Sequence, residues 1–397
     1  MKIQVIEPGP LQKVGLMNTG NTILTMLRLA MIFLSVTLMS CGSSEPTVRD
    51  IESPDDPVVD EPINNRPGTI RNLTSMQIQS EMGVGWNLGN SFDVTEEDKT
   101  AWGNPLPTKQ MIDLVKNIGF TTVRIPVTWF THQDATSFEI EANYLQRVKE
   151  IVNYTLDNQM YVIVNTHHEE DWIKLNDNDA DVVNARLQSL WTQVANEFID
   201  YGDSLIFETL NEPRTKGSPN EWSGGTAAER VLLNTYHKTC VDAIRATGGN
   251  NAKRHLMVST YGASTEQAAM NDLVVPNDDP NIMISLHFYF PWAFAGQGSN
   301  RWGTDDDRSQ LLAGLNNIKR HWVDERGRAV IMGEWGAVRS NDLQIREQYY
   351  DFYAKACEER GLVSVVWDDG GDFQLMDRFN NGWASRSLAE LIVSANQ

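Results

Sequence analysis

The chain is poor in cysteine, histidine and basic charge, and it has no long apolar run. Only three cysteines occur in 397 residues. Cys240 and Cys357 stand in separate helical stretches, at no spacing used by thiolate metal sites, so both are expected free and buried. A disulfide is open to them only through export from the cell. Seven histidines are present, none in a helical His-x3-His pattern, which leaves a zinc centre without a familiar ligand set. Lys and Arg total 33 against 53 Asp and Glu, for a net charge of −20. Without a basic stripe, a polyanion such as nucleic acid finds no counter-charge, and a neutral polymer is the better partner. The apolar segment from Leu29 to Met39 is too short to span a bilayer.

That segment has instead the length of a signal-peptide apolar region, with Arg28 before it. It runs into Leu38-Met39-Ser40-Cys41, which resembles a bacterial lipoprotein cleavage box with Cys41 as the lipidated residue. Residues 1–41 are therefore expected to direct export and attach a lipid anchor, placing the protein at the bacterial outer membrane, with the cell surface open to it; an ordinary secretory signal is the alternative. Residues 42–67 mix five prolines, Pro46 to Pro67, with a run of acids. They cannot bury enough apolar surface to order themselves and read as a disordered, self-repelling linker. The remainder, 68–397, is expected to be one catalytic domain.

From residue 68 onward short apolar runs alternate with longer segments of helical period, the pattern of parallel strands joined by helical crossovers. Eight runs are expected to be strands: Val84–Leu88, Thr122–Val127, Tyr161–Thr166, Leu205–Leu210, His255–Thr260, Ile282–His287, Ala329–Met332 and Val363–Trp367. Between them Ile140, Tyr144, Leu145, Val148, Ile151 and Val152 recur at helical spacing, and Asn117-Ile118-Gly119 ends like a helix with glycine just past its last turn. The fold class is α/β, a (β/α)8 TIM barrel, whose reactive groups come from the C-terminal ends of its strands.

Polar residues gather at those ends. Glu212 and Glu334 each close an apolar run, and two carboxylates about 5–5.5 Å apart suit cleavage of a β-glycoside with retention. In Asn211-Glu212-Pro213, the proline stops the strand and the asparagine can donate to a sugar 2-hydroxyl, which makes Glu212 the acid/base. Its pKa should be raised by the neighbouring charge. Glu334, as nucleophile, must stay ionised and needs a cation and donors, for which Arg124 and Tyr289 are the candidates. The run His167-His168-Glu169-Glu170 contains zinc-ligand types, but strand neighbours point to opposite faces, so sugar hydroxyls are the better partners of His167 and His168. His287, beside Tyr289, reads as a site donor. Twelve tryptophans exceed the needs of a core this size. Trp367 is expected to form a sugar platform, and Trp292, Trp302, Trp102 and Trp172 lie in loops where they stack on sugar or pack.

These motifs carry a resemblance. Gly85-Trp86-Asn87-Leu88-Gly89-Asn90-Ser91-Phe92-Asp93, Val123-Arg124-Ile125-Pro126-Val127, Asn165-Thr166-His167-His168-Glu169, Asn211-Glu212-Pro213, His287-Phe288-Tyr289-Phe290-Pro291, Gly333-Glu334-Trp335-Gly336 and Val366-Trp367-Asp368 resemble glycoside hydrolase family 5, most of all its subfamily 4 of endo-β-1,4-glucanases. The likeness spans about residues 70–395. It implies Glu212 as acid/base and Glu334 as nucleophile, supported by Arg124, Asn211, His287 and Tyr289. His167 and Trp367 would complete the inner site, and Asn90 and Asp93, in the first βα loop, would bind sugars on the non-reducing side. It further implies no cofactor and no metal, and action on cellulose-type or mixed-linkage glucan; a monomer is expected. Xyloglucan is the near alternative. A non-catalytic glycan-binding lipoprotein is a more distant one, to which a proton donor facing a nucleophile would be of no use.

Overall fold

A computed structural model describes residues 68–395. The sequence-derived signal region, Cys41 and linker lie outside the described residues. Eight parallel strands close into a barrel in sequence order: β1 (Val84–Asn87), β2 (Thr122–Ile125), β3 (Tyr161–Asn165), β4 (Leu205–Glu208), β5 (Leu256–Ser259), β6 (Ile282–His287), β7 (Val330–Trp335) and β8 (Val363–Val366). Pairing of β1 with both β2 and β8 completes the ring. Every expected run overlaps a strand, and the α/β barrel expected from the alternation is the observed fold. Among the described residues no helix is long and apolar enough to cross a membrane.

Strand side chains alternate between two cores, as a period of two requires. Val123 and Ile125, Val162 and Val164, Leu205 and Phe207, and Ile282, Ile284 and Leu286 face the surrounding helices. Tyr161, Ile163, Ile206, Met257, Met283, Ile331 and Val365 form a separate cluster inside the barrel. The helix Ser75–Met82, which the sequence reading had not anticipated, adds Ile78 and Met82 to that inner cluster. Thr74 starts it with a capping box to Gln77, satisfying two backbone donors that would otherwise lack partners.

The same alternation points the next inward residues, Asn87, Arg124, Asn165 and Glu208, into the top layer of the barrel. β7 obeys a modified rule. Val330 and Met332 face outward, but the register shifts between Met332 and Trp335, and Trp335 again joins the outer core. A bulge of this kind re-aims side chains, and here it turns Glu334 inward opposite His287. β7 thus runs further than expected, with Glu334 inside the strand. β4 is shorter than expected and ends at Glu208, so Glu212 stands in the turn that follows.

Candidate active site

The floor of the barrel mouth is a buried polar network centred on Arg124. Its Nε donates to Glu208 Oε2 at 2.7 Å, Nη1 to Asn87 Oδ1 at 3.0 Å and Glu334 Oε1 at 2.9 Å, and Nη2 to Asn211 Oδ1 at 2.6 Å. Glu208 also accepts from Asn165 Nδ2 and Ser285 Oγ. One guanidinium therefore fixes the nucleophile candidate, the asparagine beside the acid and a deep counter-charge in a single plane. The sequence reading missed Glu208 and Asn87. Their inward parity with Arg124 on neighbouring strands was the available signal.

Above this floor Glu212 and Glu334 converge on His287. His287 Nδ1 lies 2.7 Å from Glu212 Oε1 and 3.6 Å from Glu334 Oε2. A ligand atom of each of the three falls within 4.8 Å of the others. The hydroxyl of Tyr289 donates to Glu334 Oε2 at 3.0 Å. Both oxygens of Glu334 are thus held, one by Arg124 and one by Tyr289, as expected.

The protonation pattern differs from the sequence expectation. Burial alone would lower the His287 pKa, but the charges of Glu334 and Glu212 and the hydrogen bond to Glu212 raise it above its ordinary value. Burial pushes Glu212 up, yet the His287 bond and charge, with Arg214 and His168, bring it below the usual carboxylate range. Burial and the charge of Glu212 raise Glu334, against the pull of His287 and Arg124. The two directions expected for the glutamates are therefore reversed in the resting site. The cause is His287, whose hydrogen bond and charge favour the ionised form of Glu212.

His167 is buried between two asparagines, 3.1 Å from Asn165 Nδ2 and 3.3 Å from Asn211 Nδ2. Burial, aided by surrounding cationic groups, keeps it neutral, with a pKa well below 6.5. Its ring stacks on Trp367, centroids 5.9 Å apart and planes 6° off parallel. Gly89 allows this approach, since a Cβ there would meet the Trp367 ring at 2.7 Å. His168 is partly exposed, packs against Trp102 and has a raised pKa: burial opposes the shift, and Glu170 and Asp93 outweigh it.

Asn90 adopts a left-handed conformation (φ 51°) in the first βα loop. Asp93 is buried, and its two oxygens accept the backbone amides of Asn90 and Ser91. It shapes the loop rather than presenting a free carboxylate to sugar. Asp93, His167 and His168 also offer atoms within 4.8 Å of one another, but the Asp93 oxygens already accept backbone amides and each His167 ring nitrogen faces an asparagine amide. They do not form an assembled metal shell. Cys240 and Cys357 are free and buried.

The tryptophans divide. Trp292 is 56% exposed and meets the Tyr289 ring edge-on at 6.2 Å, at the rim where a sugar could stack. Trp302 is only 8% exposed and packs among Phe294, Tyr349 and Phe352. The structure does not bring it to the mouth: it is a core residue, and the expectation of sugar contact is corrected. Trp172 is partly buried over Arg186.

Barrel and mouth together define an enzyme with a partly buried Glu212 just past β4 paired with a buried Glu334 near the end of β7. The chain belongs to glycosyl hydrolase family 5: the family model for Cellulase (glycosyl hydrolase family 5) matches residues 82–372. Endoglucanase B of Clostridium cellulovorans is 43% identical over 337 residues, covering 82% of this chain and 76% of that one. The structure of ZgEngAGH5_4 in complex with a cellotriose is 49% identical, with a TM-score of 0.81, covering 82% of this chain and all of that one. A GH5-4 broad specificity endoglucanase from Clostridium acetobutylicum is 43% identical, with a TM-score of 0.79 and coverage of 81% and 100%.

Proposed function

We propose that this chain is a retaining endo-β-1,4-glucanase in which Glu334 attacks the anomeric carbon and Glu212 serves as acid and then base. The observation that carries this reading is the approach of a Glu212 and a Glu334 oxygen to within 4.8 Å across the mouth. An approach on that scale suits direct attack by one carboxylate, as in retaining enzymes with carboxyl groups about 5–5.5 Å apart. In the first step Glu334 forms a bond to the anomeric carbon as the glycosidic bond breaks, and the leaving oxygen takes a proton from Glu212. His287, at 2.7 Å, is the reservoir of that proton. In the second step Glu212 removes a proton from water, which displaces Glu334 and releases the sugar.

Arg124 and Tyr289 hold both oxygens of Glu334, and Asn211 is placed to donate to the 2-hydroxyl as positive charge grows on the ring. In this reading His167 and Trp367 complete the inner site, Asn90 binds sugar on the non-reducing side, His168 offers a hydrogen bond to a sugar hydroxyl, and Trp292 offers a rim platform. The cellotriose bound by one relative and the endoglucanase names of the others support an oligosaccharide or polysaccharide substrate with a β-1,4-glucan backbone. Within that class the reading is cellulose-type and mixed-linkage glucan, with the chain working as a monomer.

Incubation with barley glucan, carboxymethyl cellulose, xyloglucan and xylan, compared by rate per enzyme, tests the substrate. Fastest release of reducing ends from xyloglucan would replace the preferred glucan, and no release from any of them would overturn the enzyme reading. Labelling with a 2-fluoro cellobioside tests the mechanism: the label is expected on Glu334, and a label elsewhere refutes the assignment. Export with lipid attached to Cys41 belongs to the same proposal, on the strength of the Leu38-Met39-Ser40-Cys41 box. Membrane-fraction activity that survives Cys41→Ala unchanged would sink that part.

A further inference from the structure

Glu212 is held on two sides, with His287 on one of them. The second holder is Arg214, two residues on, whose Nη1 donates to the backbone carbonyl of Glu212 at 2.9 Å and lies 3.5 Å from its carboxylate Oε2. Arg214 is itself tightly fixed. Glu170 Oε1 accepts from Nη1 at 2.7 Å, Glu221 Oε1 accepts from Nε at 3.2 Å, and the guanidinium sits 4.4 Å from the centre of the Trp222 ring. Glu170 is buried and also faces His168, its Oε1 3.6 Å from His168 Nδ1.

We propose that Arg214 is a positioning residue for the acid/base: anchored by Glu170, it fixes the backbone and carboxylate of Glu212 so that Oε1 meets His287 and the leaving oxygen. The inference rests on the reading of Glu212 given above. An arginine paired only for stability could have been placed anywhere on the barrel rim. This one spends a single nitrogen on both the carbonyl of the acid and its anchor, so a shift of the guanidinium moves the acid with it. The indole of Trp222, 61% exposed itself, covers one face of the guanidinium and limits the water that would otherwise compete for these bonds. His168 and Glu170 extend the chain across the mouth, from the loop of Asp93 to the acid.

The charge of Arg214 has a second effect with a defined sign. It favours ionised Glu212. Removing it strengthens the hold on the proton shared by Glu212 and His287, so the alkaline limb of the kcat/KM profile should move to higher pH. A merely structural arginine would leave that limb where it is.

The test compares cellotetraose, whose leaving group needs a proton, with β-cellobiosyl fluoride, whose leaving fluoride does not. For Arg214→Gln, kcat/KM on cellotetraose is expected to fall by about 10²-fold, the scale of general acid assistance, while the fluoride changes by no more than about threefold. The alkaline limb should move up. Arg214→Lys should restore the limb but only part of the rate, because an ammonium has neither the Nε that holds Glu221 nor the plane that lies against Trp222. Glu170→Gln keeps the size of the anchor and should give a smaller loss in the same pattern, which guards against a misfolded Arg214 variant. Equal losses on both substrates, or an unmoved alkaline limb, would overturn the proposal. Wild-type protein inert on both substrates would instead overturn the reading of function on which it rests.

Discussion

Arg124 and Glu208 form an ion pair with no solvent exposure on either side chain, Nε to Oε2 at 2.7 Å. The pair is the floor on which the reactive groups stand. Coulomb attraction in such a site offsets a large desolvation cost only while every lone pair and proton is used, and here Asn165, Ser285, Asn87 and Asn211 use them.

Glu208→Ala is therefore expected to destabilise the protein by about 3–5 kcal/mol, the range for removing one partner of a buried pair. Lys109→Ala, which breaks an exposed pair to Asp113, should cost roughly 0–1 kcal/mol. Urea unfolding of the two variants beside wild type measures both. Similar midpoints for the two would refute the view that this network is fully coupled.

Glu334→Gln should reduce turnover by on the order of 10³-fold or more, the scale of losing a covalent catalytic group. Cellotriose binding, followed by calorimetry, should change little, because the lost charge acts chiefly on the transition state. Tyr289 and Arg124 can still meet the amide, one of them with its oxygen, so the site need not collapse. Residual hydrolysis near the wild-type rate would remove Glu334 from the mechanism.

Much of this site was legible beforehand, and the exceptions have physical causes. Parallel strands buried on both faces read as near-continuous apolar runs, so all eight were found, and their order fixed the rim. The exact ends were less visible. Asn211-Glu212-Pro213 looks like a strand end, yet β4 stops at Glu208 and the four residues after it form the turn that carries the acid. The bulge in β7 is set by pairing with β6 and β8, a tertiary fact with no local signature. Trp302 shows the limit of composition: surplus tryptophan suggested ligand contact, whereas Phe294, Tyr349 and Phe352 enclose its ring. Thr74 and Gln77 did spell a capping box before Ser75, a legible signal that the apolar runs overshadowed.

Glu212→Ala should separate substrates by leaving group. On cellotetraose a loss of roughly 10²–10⁴-fold is expected, whereas a 2,4-dinitrophenyl cellobioside, which departs without a proton, should keep most of its rate of bond cleavage. Added azide can replace the water that Glu212 no longer activates, so β-cellobiosyl azide should accumulate. Equal losses on both substrates, with no azide product, would show that Glu212 supports the fold of the mouth and not proton transfer.

The pH dependence turns on His287. Its raised pKa means that the imidazolium persists above the ordinary histidine range and supplies a positive charge beside both carboxylates. That charge lowers the proton affinity of Glu334, which must be ionised to attack. In His287→Asn the cation is gone, both carboxylates bind protons more tightly, and the acid limb of kcat/KM should move to higher pH. The alkaline limb should then report Glu212 alone, without the imidazole that shares its proton. A pH profile on cellotetraose from about pH 4 to 9, which spans ordinary carboxylate and histidine pKa values, measures both limbs. If the variant loses rate uniformly with neither limb displaced, His287 acts only as a packed neighbour and the shared proton has to be placed elsewhere.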